Sequence, residues 1–436
     1  MFTWNFQFIS KTRLQEMFRQ LMLDPQKGDI LIRIHTAIHG EKQAVDLARF
    51  LKRTIPEAHI LGTSTSAIIQ NGKVIRDQCL ISITQIDGGR IRTACLETIA
   101  DDGTAVPAGE LCESIRASVI DGDTRQIVTF LTAKYPQVSE LAGESNRWFP
   151  EVAMMGGIAA YPDISRNGST GTGFVFDENG ASDHALMVAS FSGKKLESCN
   201  CCVAGADAIT EEAVDAEELP FLFLDDDGAL RTKRKFKQGK NFRPAVIYAR
   251  RIIADNRRMY ERIEGFEKAE TSFCYTCASR LAFYPHCVKW ELSAYSNSNL
   301  SGCVTDGELT RIDGKNVYVN CCMVITVMGE NPASPMYNPY VFLHTEALDA
   351  DDKKILGYLT ELEKKYRDGS ENTMPEPLRS LVAACERRLF CSREEELPGE
   401  AAMNMDMTGS ALSMYWIWPE YSRFFRRKSF RQRIRI

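Results

Sequence analysis

The sequence contains no apolar run near the ~18 residues that a membrane-spanning helix needs. It has no phosphate-binding G-x-x-x-x-G-K-[S/T] loop. The G-x-G in "STGTGFVF" precedes a strand rather than opening a helix, so it is not a dinucleotide fingerprint. Neither Ser64 nor Ser66 stands in a G-x-S-x-G elbow, and Asp183-His184 falls at a strand start, so nucleophilic catalysis finds no support. The opening "MFTWNFQFISKTR" lacks the basic segment of a secretory leader, and the expected compartment is the cytoplasm. The 14 cysteines then read as reduced thiols, many of them inside apolar runs where cysteine acts as a small hydrophobe.

What is present is ordinary for a globular protein. The 436 residues are 44% hydrophobic and 25% charged, enough for two or three domains with real cores. A net charge of −5 argues against a general nucleic-acid binder. The basic exception is the tail "PEYSRFFRRKSFRQRIRI", with seven Arg or Lys among eighteen residues. It is read as disordered, within a tail of 396–436.

Periodicity predicts a mixed α/β fold with strand-rich cores. Apolar residues at Leu14, Met17, Phe18 and Leu21 mark a helix face, as do Ala44, Leu47, Ala48 and Leu51. "DILIRIHTAI" and "AHILG" flank the second helix, which suggests a β-α-β unit with a parallel strand pair. "CLISITQI", "IRTACLET", "QIVTFLTA" and "HALMVASFSG" read as strands, and "AGELCESIRASV" as a helix. "LPFLFLDDDGALRTKRKF" reads as a hairpin turned at Asp227-Gly228. Further on, "TSFCYTCASR" and "NVYVNCCMVITVMGE" are strand-like. Residues 347–395 are helical, with Ile355, Leu359, Leu362 and Tyr366 on one face and Leu378, Val382, Cys385 and Leu389 on another. Residues 199–218 fit no pattern.

Two stretches echo each other. "GTSTSAIIQNGKV" from Gly62 and "GCVTDGELTRIDGKNV" from Gly302 align Gly62 with Gly302 and Thr65 with Thr305. Both run on to a Gly-Lys turn, Gly72-Lys73 and Gly314-Lys315, as two equivalent loops of a duplication would.

These motifs resemble the FIST sensor family, which has an N-terminal and a C-terminal half. Gly62, Ser64 and Thr65 match its G-x-S-T-A-G-E loop, with Ser66-Ala67-Ile68 in place of A-G-E. Gly156-Gly157 matches its glycine pair. In the second half Cys277, Arg280, Glu291 and Gly307-Glu308 match its cysteine, arginine, glutamate and G-E dipeptide. The likeness covers 28–198 and 219–332 and implies halves at 28–218 and 219–346, followed by helices at 347–395. It also implies a signal-transduction sensor, not an enzyme, that binds a small ligand such as an amino acid and passes the signal through its C-terminal helices. The output signalling protein or domain would lie elsewhere, since no G-G-D-E-F run or kinase ATP-site glycine motif follows. The same helices are where a homodimer would form. No cofactor is implied.

The expected ligand-binding residues are Arg280, Gly302, Thr305, Asp306, Gly307 and Glu308, with Ser64 and Thr65 from the first half. Gly302 and Gly307 would let backbone amides approach a carboxylate, Arg280 would grip it, and Asp306 or Glu308 would pair with an ammonium group. Because Ile68 and Ile69 follow the first stretch, its hydroxyls are expected to be mainly structural, with 302–308 carrying the ligand. Two other classes are open. One is a protein-interaction adaptor with a vestigial pocket. The other is a metal-dependent enzyme using Cys274-x-x-Cys277 with His286, Cys287 and Cys303.

Overall fold

The computed structural model describes residues 1–161 and 172–204 almost throughout, 265–283 and 299–331, and short stretches or single positions between 206 and 292. The expected C-terminal helices at 347–395, the tail, the Asp227-Gly228 turn, His286 and Cys287 lie outside the described residues. Residues 1–202, 259–281 and 292–341 form one compact unit, and the remainder forms a second.

The first unit is built on two sheets, which account for its mixed, strand-rich α/β character. One contains β1 (Phe2–Gln7), β2 (Ile30–Thr36), β3 (His59–Ser64), β6 (Cys79–Gln85), β10 (Val175–Phe176) and β11 (Ala181–Ser182), in the order β1-β6-β2-β3-β10-β11. As the spacing suggests, β2 and β3 are parallel and α2 (Glu41–Thr54) crosses between them. The helix buries Ala44, Leu47, Ala48 and Leu51. Strand β2 alternates faces: Ile30, Ile32 and Ile34 pack with this helix and with Leu14 of α1 (Lys11–Phe18), while Leu31 joins the core between the sheets.

The other sheet runs β13-β21-β18-β19-β9-β8-β12-β7. Its strands are β7 (Arg90–Glu97), β8 (Thr124–Leu131), β9 (Ala153–Ala159), β12 (Ala185–Ser192), β13 (Glu197–Val203), β18 (Thr271–Cys277), β19 (Leu300–Ile312) and β21 (Met323–Gly329). Three more, β4 (Ile68–Gln70), β5 (Lys73–Ile75) and β20 (Lys315–Val319), join through β19 and β4. Val128, Phe130, Met155 and Met187 face the intersheet core; Ile127, Leu131, Met154 and Leu186 face α3 (Ala108–Val119) and α4 (Val138–Trp148). The order is therefore helices, sheet, sheet, helices. Cys199, Cys201 and Cys202, where the sequence fitted no pattern, lie on β13. Strands from both sides of residue 219 share the larger sheet, with β19 antiparallel to β9, so the two sequence halves are joined by one continuous ladder.

In the second unit, β14 (Ala206–Ala208) pairs with β17 (Ala245–Ile247), and β15 (Leu222–Leu224) with β16 (Leu230–Thr232), the two arms of the expected hairpin. Buried Glu291 accepts a 2.7 Å hydrogen bond from Asn256 there.

The two echoed stretches are partners rather than equivalents. Ile68, Ile69 and Gln70 of β4 pair antiparallel with Cys303, Gly302 and Ser301 of β19. Their common ending is a shared hairpin turn: Asn71-Gly72 has φ of 49° and 71°, Asp313-Gly314 of 48° and 78°. Both are the left-handed pairs that a two-residue hairpin requires.

Candidate functional site

The segment 302–308 was expected as a loop and is instead part of β19. Its neighbours change at Thr305, from β18 and β4 to β9 and β20. Thr305 pairs with Ala159 and Glu308 with Gly157, so β19 carries one extra residue against β9. Residues three apart on a regular strand point to opposite faces. The bulge at Asp306-Gly307 cancels that offset and returns Thr305 and Glu308 to one face. Thr305 Oγ1 there donates a 2.9 Å hydrogen bond to Glu308 Oε1. Gly307 makes this possible with φ of 129°, and a Cβ at that position would lie 2.0 Å from the Tyr318 hydroxyl oxygen. A Cβ on Gly157 would lie 2.3 Å from the Gly307 carbonyl oxygen. Gly157 of the first half's glycine pair and Gly307 of the second half's G-E dipeptide thus serve one close strand approach, while Gly156 admits Thr129 of β8.

Glu308 is fully buried, and its Oε2 has no hydrogen-bond partner among the described residues. Burial raises its pKa well above the ordinary carboxylate value; the Thr305 hydroxyl, the Cys322 amide and Arg280 act in the opposite sense. Arg280, on α5 (Ala278–Phe283), is also fully buried and donates a 3.0 Å hydrogen bond to the Cys321 carbonyl. Cys321 has φ of 56°, a left-handed conformation that is uncommon for a side chain of this kind. Around this carboxyl lie buried thiols. Burial, then Glu308, raises the pKa of Cys277; the neighbouring Cys202 thiol, then burial, does the same for Cys322. Cys277 and Cys322 are therefore thiols rather than thiolates.

The structure thus brings together Arg280, Thr305 and Glu308, and it reassigns the other expected residues. Asp306 sits in the bulge and is exposed, away from the buried carboxyl. Gly302 does not open space for a ligand: a Cβ there would lie 1.7 Å from the Cys274 carbonyl oxygen, so its missing side chain admits the neighbouring strand. Ser64 Oγ donates to the Ala160 carbonyl at 3.0 Å and accepts from the Phe174 amide at 2.8 Å. Thr65 stands where the chain leaves one sheet for the other. Its hydroxyl lies 2.7 Å from the Val304 carbonyl oxygen and 2.8 Å from that of Ala67, and it accepts from the Val304 amide at 3.1 Å. Thr65→Val is expected to lower stability by about 1–3 kcal/mol, the cost of orphaning buried polar groups, measured by urea denaturation.

Cys274 and Cys277 are both on β18 at an odd spacing, so their side chains point to opposite faces of the sheet and do not converge on one ion. Among the described residues, no three side chains of metal-ligating type are gathered to hold a metal. The Asp183-His184 pair is a partly exposed surface contact in which Asp183 also meets Lys134, and its carboxyl falls to about 2 through those hydrogen bonds. Sequence reasoning missed Cys202 and Cys322, which lie near Glu308, and Cys321, whose carbonyl accepts from Arg280. Their adjacency to Arg280 and Glu308 arises only through sheet pairing.

The fold defines the class: a mixed α/β protein of two stacked sheets flanked by helices, with a buried acid-arginine site at a strand bulge. Residues 32–214 match the family model for the FIST N domain, which supports the resemblance to the FIST sensors over the first half. Comparison with curated proteins gives no match. Among solved structures, cyanuric acid hydrolase from A. caulinodans aligns with 75% of this chain and 98% of its own, at 8% identity and a TM-score of 0.34. A likeness that distant carries no argument about chemistry. Among the described residues, no helix is long and apolar enough to cross a membrane.

Proposed function

We propose that this chain is a non-catalytic sensor whose small ligand carries an ammonium group, an amino acid being the class that best suits the site. The FIST N domain match supports the sensor reading in general. The carrying observation is Glu308: a fully buried carboxyl with one oxygen lacking a partner among the described residues. An ammonium ligand would supply that partner and the charge that ionised Glu308 needs, while Arg280 would steady the ligand's carboxylate. The signal would pass in the cytoplasm to a separate output protein or domain through the helices expected at 347–395, the same segment that would form a homodimer.

A thermal-shift screen of the full chain against the amino acids, followed by calorimetry on any hit, tests this. Glu308→Gln and Arg280→Ala should each weaken binding tenfold or more, since a charged hydrogen bond contributes about 1.5–3 kcal/mol. Thr65→Val should bind nearly as the native chain does. A folded Thr65→Val protein that has lost binding, beside a Glu308→Gln protein that binds normally, would reverse the roles of the two stretches. Because burial raises the Glu308 pKa, pairing with an ammonium group should lower it again, so binding should release protons and affinity should rise with pH. Calorimetry in buffers of different ionisation enthalpy reads that proton directly.

A further inference from the structure

Arg33 and His35 lie on β2 with the parity of Leu31, which belongs to the core between the two sheets. Both are fully buried. A long charged side chain in such a place is normally paired with a carboxylate. Arg33 is not. Its Nη1 donates to the Tyr275 hydroxyl at 3.3 Å and its Nη2 to Ser301 Oγ at 2.9 Å. The guanidinium carbon stacks 3.6 Å from the centre of the Phe273 ring. Among the described residues its Nε has no partner and it forms no ion pair. A guanidinium has five N–H donors, so these bonds leave most of its fork unused. Beside it, both ring nitrogens of His35 lack partners among the described residues, and the ring lies 5.5 Å from Phe130 and 6.3 Å from Tyr275 between centroids. Burial, and then the Arg33 charge, lower the His35 pKa well below its ordinary value, so the imidazole is neutral. A neutral imidazole offers one donor and one acceptor.

We propose that Arg33, His35, Tyr275 and Ser301 form a binding site, between the two sheets, for a small organic monocarboxylate. The site is separate from that at Glu308, and the inference does not rest on the function proposed above. Three features select the ligand class. The planar fork of Arg33 matches a planar carboxylate in two parallel hydrogen bonds. One buried cation balances one negative charge, whereas a phosphate near two charges would leave an excess with no counter-charge in an apolar surround. The Phe130, Phe273 and Tyr275 rings make the surround of these groups apolar, which suits an organic acid once local opening admits it. An unpaired buried cation is costly to the fold, and an anion that enters as part of normal function offsets that cost. Entry requires local opening, because Arg33, His35 and Tyr275 have no exposed surface, so binding should be slow.

The test uses the full chain, labelled with 15N-arginine, with acetate, propionate and benzoate, their amides, and inorganic phosphate as probes. Arg33→Lys, which lacks that Nε–H, identifies the Arg33 signal by its disappearance. At least one carboxylate should move that signal and raise the melting temperature by several degrees, while its amide and phosphate should do neither. Arg33→Met should abolish the carboxylate response and, by removing an unpaired cation, should not lower the melting temperature of the ligand-free protein. No effect of any carboxylate on the Arg33 Nε–H signal would overturn the proposal. So would a response equal for acid and amide, a response to phosphate alone, or a carboxylate shift that survives in Arg33→Met. If Arg33→Met fails to fold, the signal in the native chain still decides, and Ser301→Ala, a small change, should weaken the response.

Discussion

Gly302→Ala is expected to cost about 3 kcal/mol or more, a large part of a typical domain's ~5–15 kcal/mol of stability. Gly302 is not left-handed, so the cost is steric. It pairs with Cys274 of parallel β18 on one side and Ile69 of β4 on the other. A Cβ would lie 1.7 Å from the Cys274 carbonyl oxygen and 2.7 Å from its carbonyl carbon. Both are backbone atoms in the ladder, so no rotamer change relieves the clash. Movement of β18 would disturb Phe273 and Tyr275 in the intersheet core and its pairing with β21. Chemical denaturation should show a much lower midpoint than for Gly143→Ala, a helix position where a Cβ meets nothing within 4 Å. Gly143→Ala should be neutral or slightly stabilising. Equal midpoints for the two variants would mean that the strands at Gly302 are not held as described.

Glu308→Gln is expected to change how stability depends on pH. Burial raises the folded-state pKa of Glu308 well above the carboxylate value. Below about pH 4 both folded and unfolded chains hold the proton, and the residue adds no pH dependence. Above that, the unfolded chain releases the proton while the native chain keeps it. Stability then falls with rising pH by about 1.4 kcal/mol per unit, until the folded group itself ionises. Glutamine does not titrate, so the variant lacks this loss. It should be more stable than the native chain at neutral pH, and the two should converge near pH 4. Denaturation of both proteins from pH 4 to pH 8 measures the difference. A constant difference across that range would show that Glu308 is ionised in the native chain.

Much of the fold was legible because it is set by local spacing. The apolar stripe of α2, the alternation of the strands and the Asn71-Gly72 turn each depend on residues within a few positions of one another. Arg280 and Glu308 were expected together from the resemblance, and the fold brings the arginine within electrostatic reach of the carboxyl. Gly302 and Asp306 were misplaced for one reason. A glycine that admits a ligand and one that admits a neighbouring strand look alike in sequence, and an acidic residue in a bulge looks like one lining a pocket. The isoleucines after Ser64 and Thr65 pointed to a packed strand, and both hydroxyls bond to backbone carbonyls.

The sequence by itself determined the class of each element and the chemistry available: an arginine, a carboxylic acid, many thiols and two left-handed hairpin turns. The tertiary structure alone decided which of these meet. The one-residue bulge in β19 turns Glu308 to the face of Thr305, because strand parity depends on pairing with β9, more than a hundred residues away. Sheet stacking buries Arg33 with no carboxylate partner among the described residues, although "DILIRIHTAI" by itself reads only as a buried strand. Burial and partnership are sums over contacts distant in sequence, and it is these sums that make one arginine a solvated surface charge and another an unpaired cation in a core.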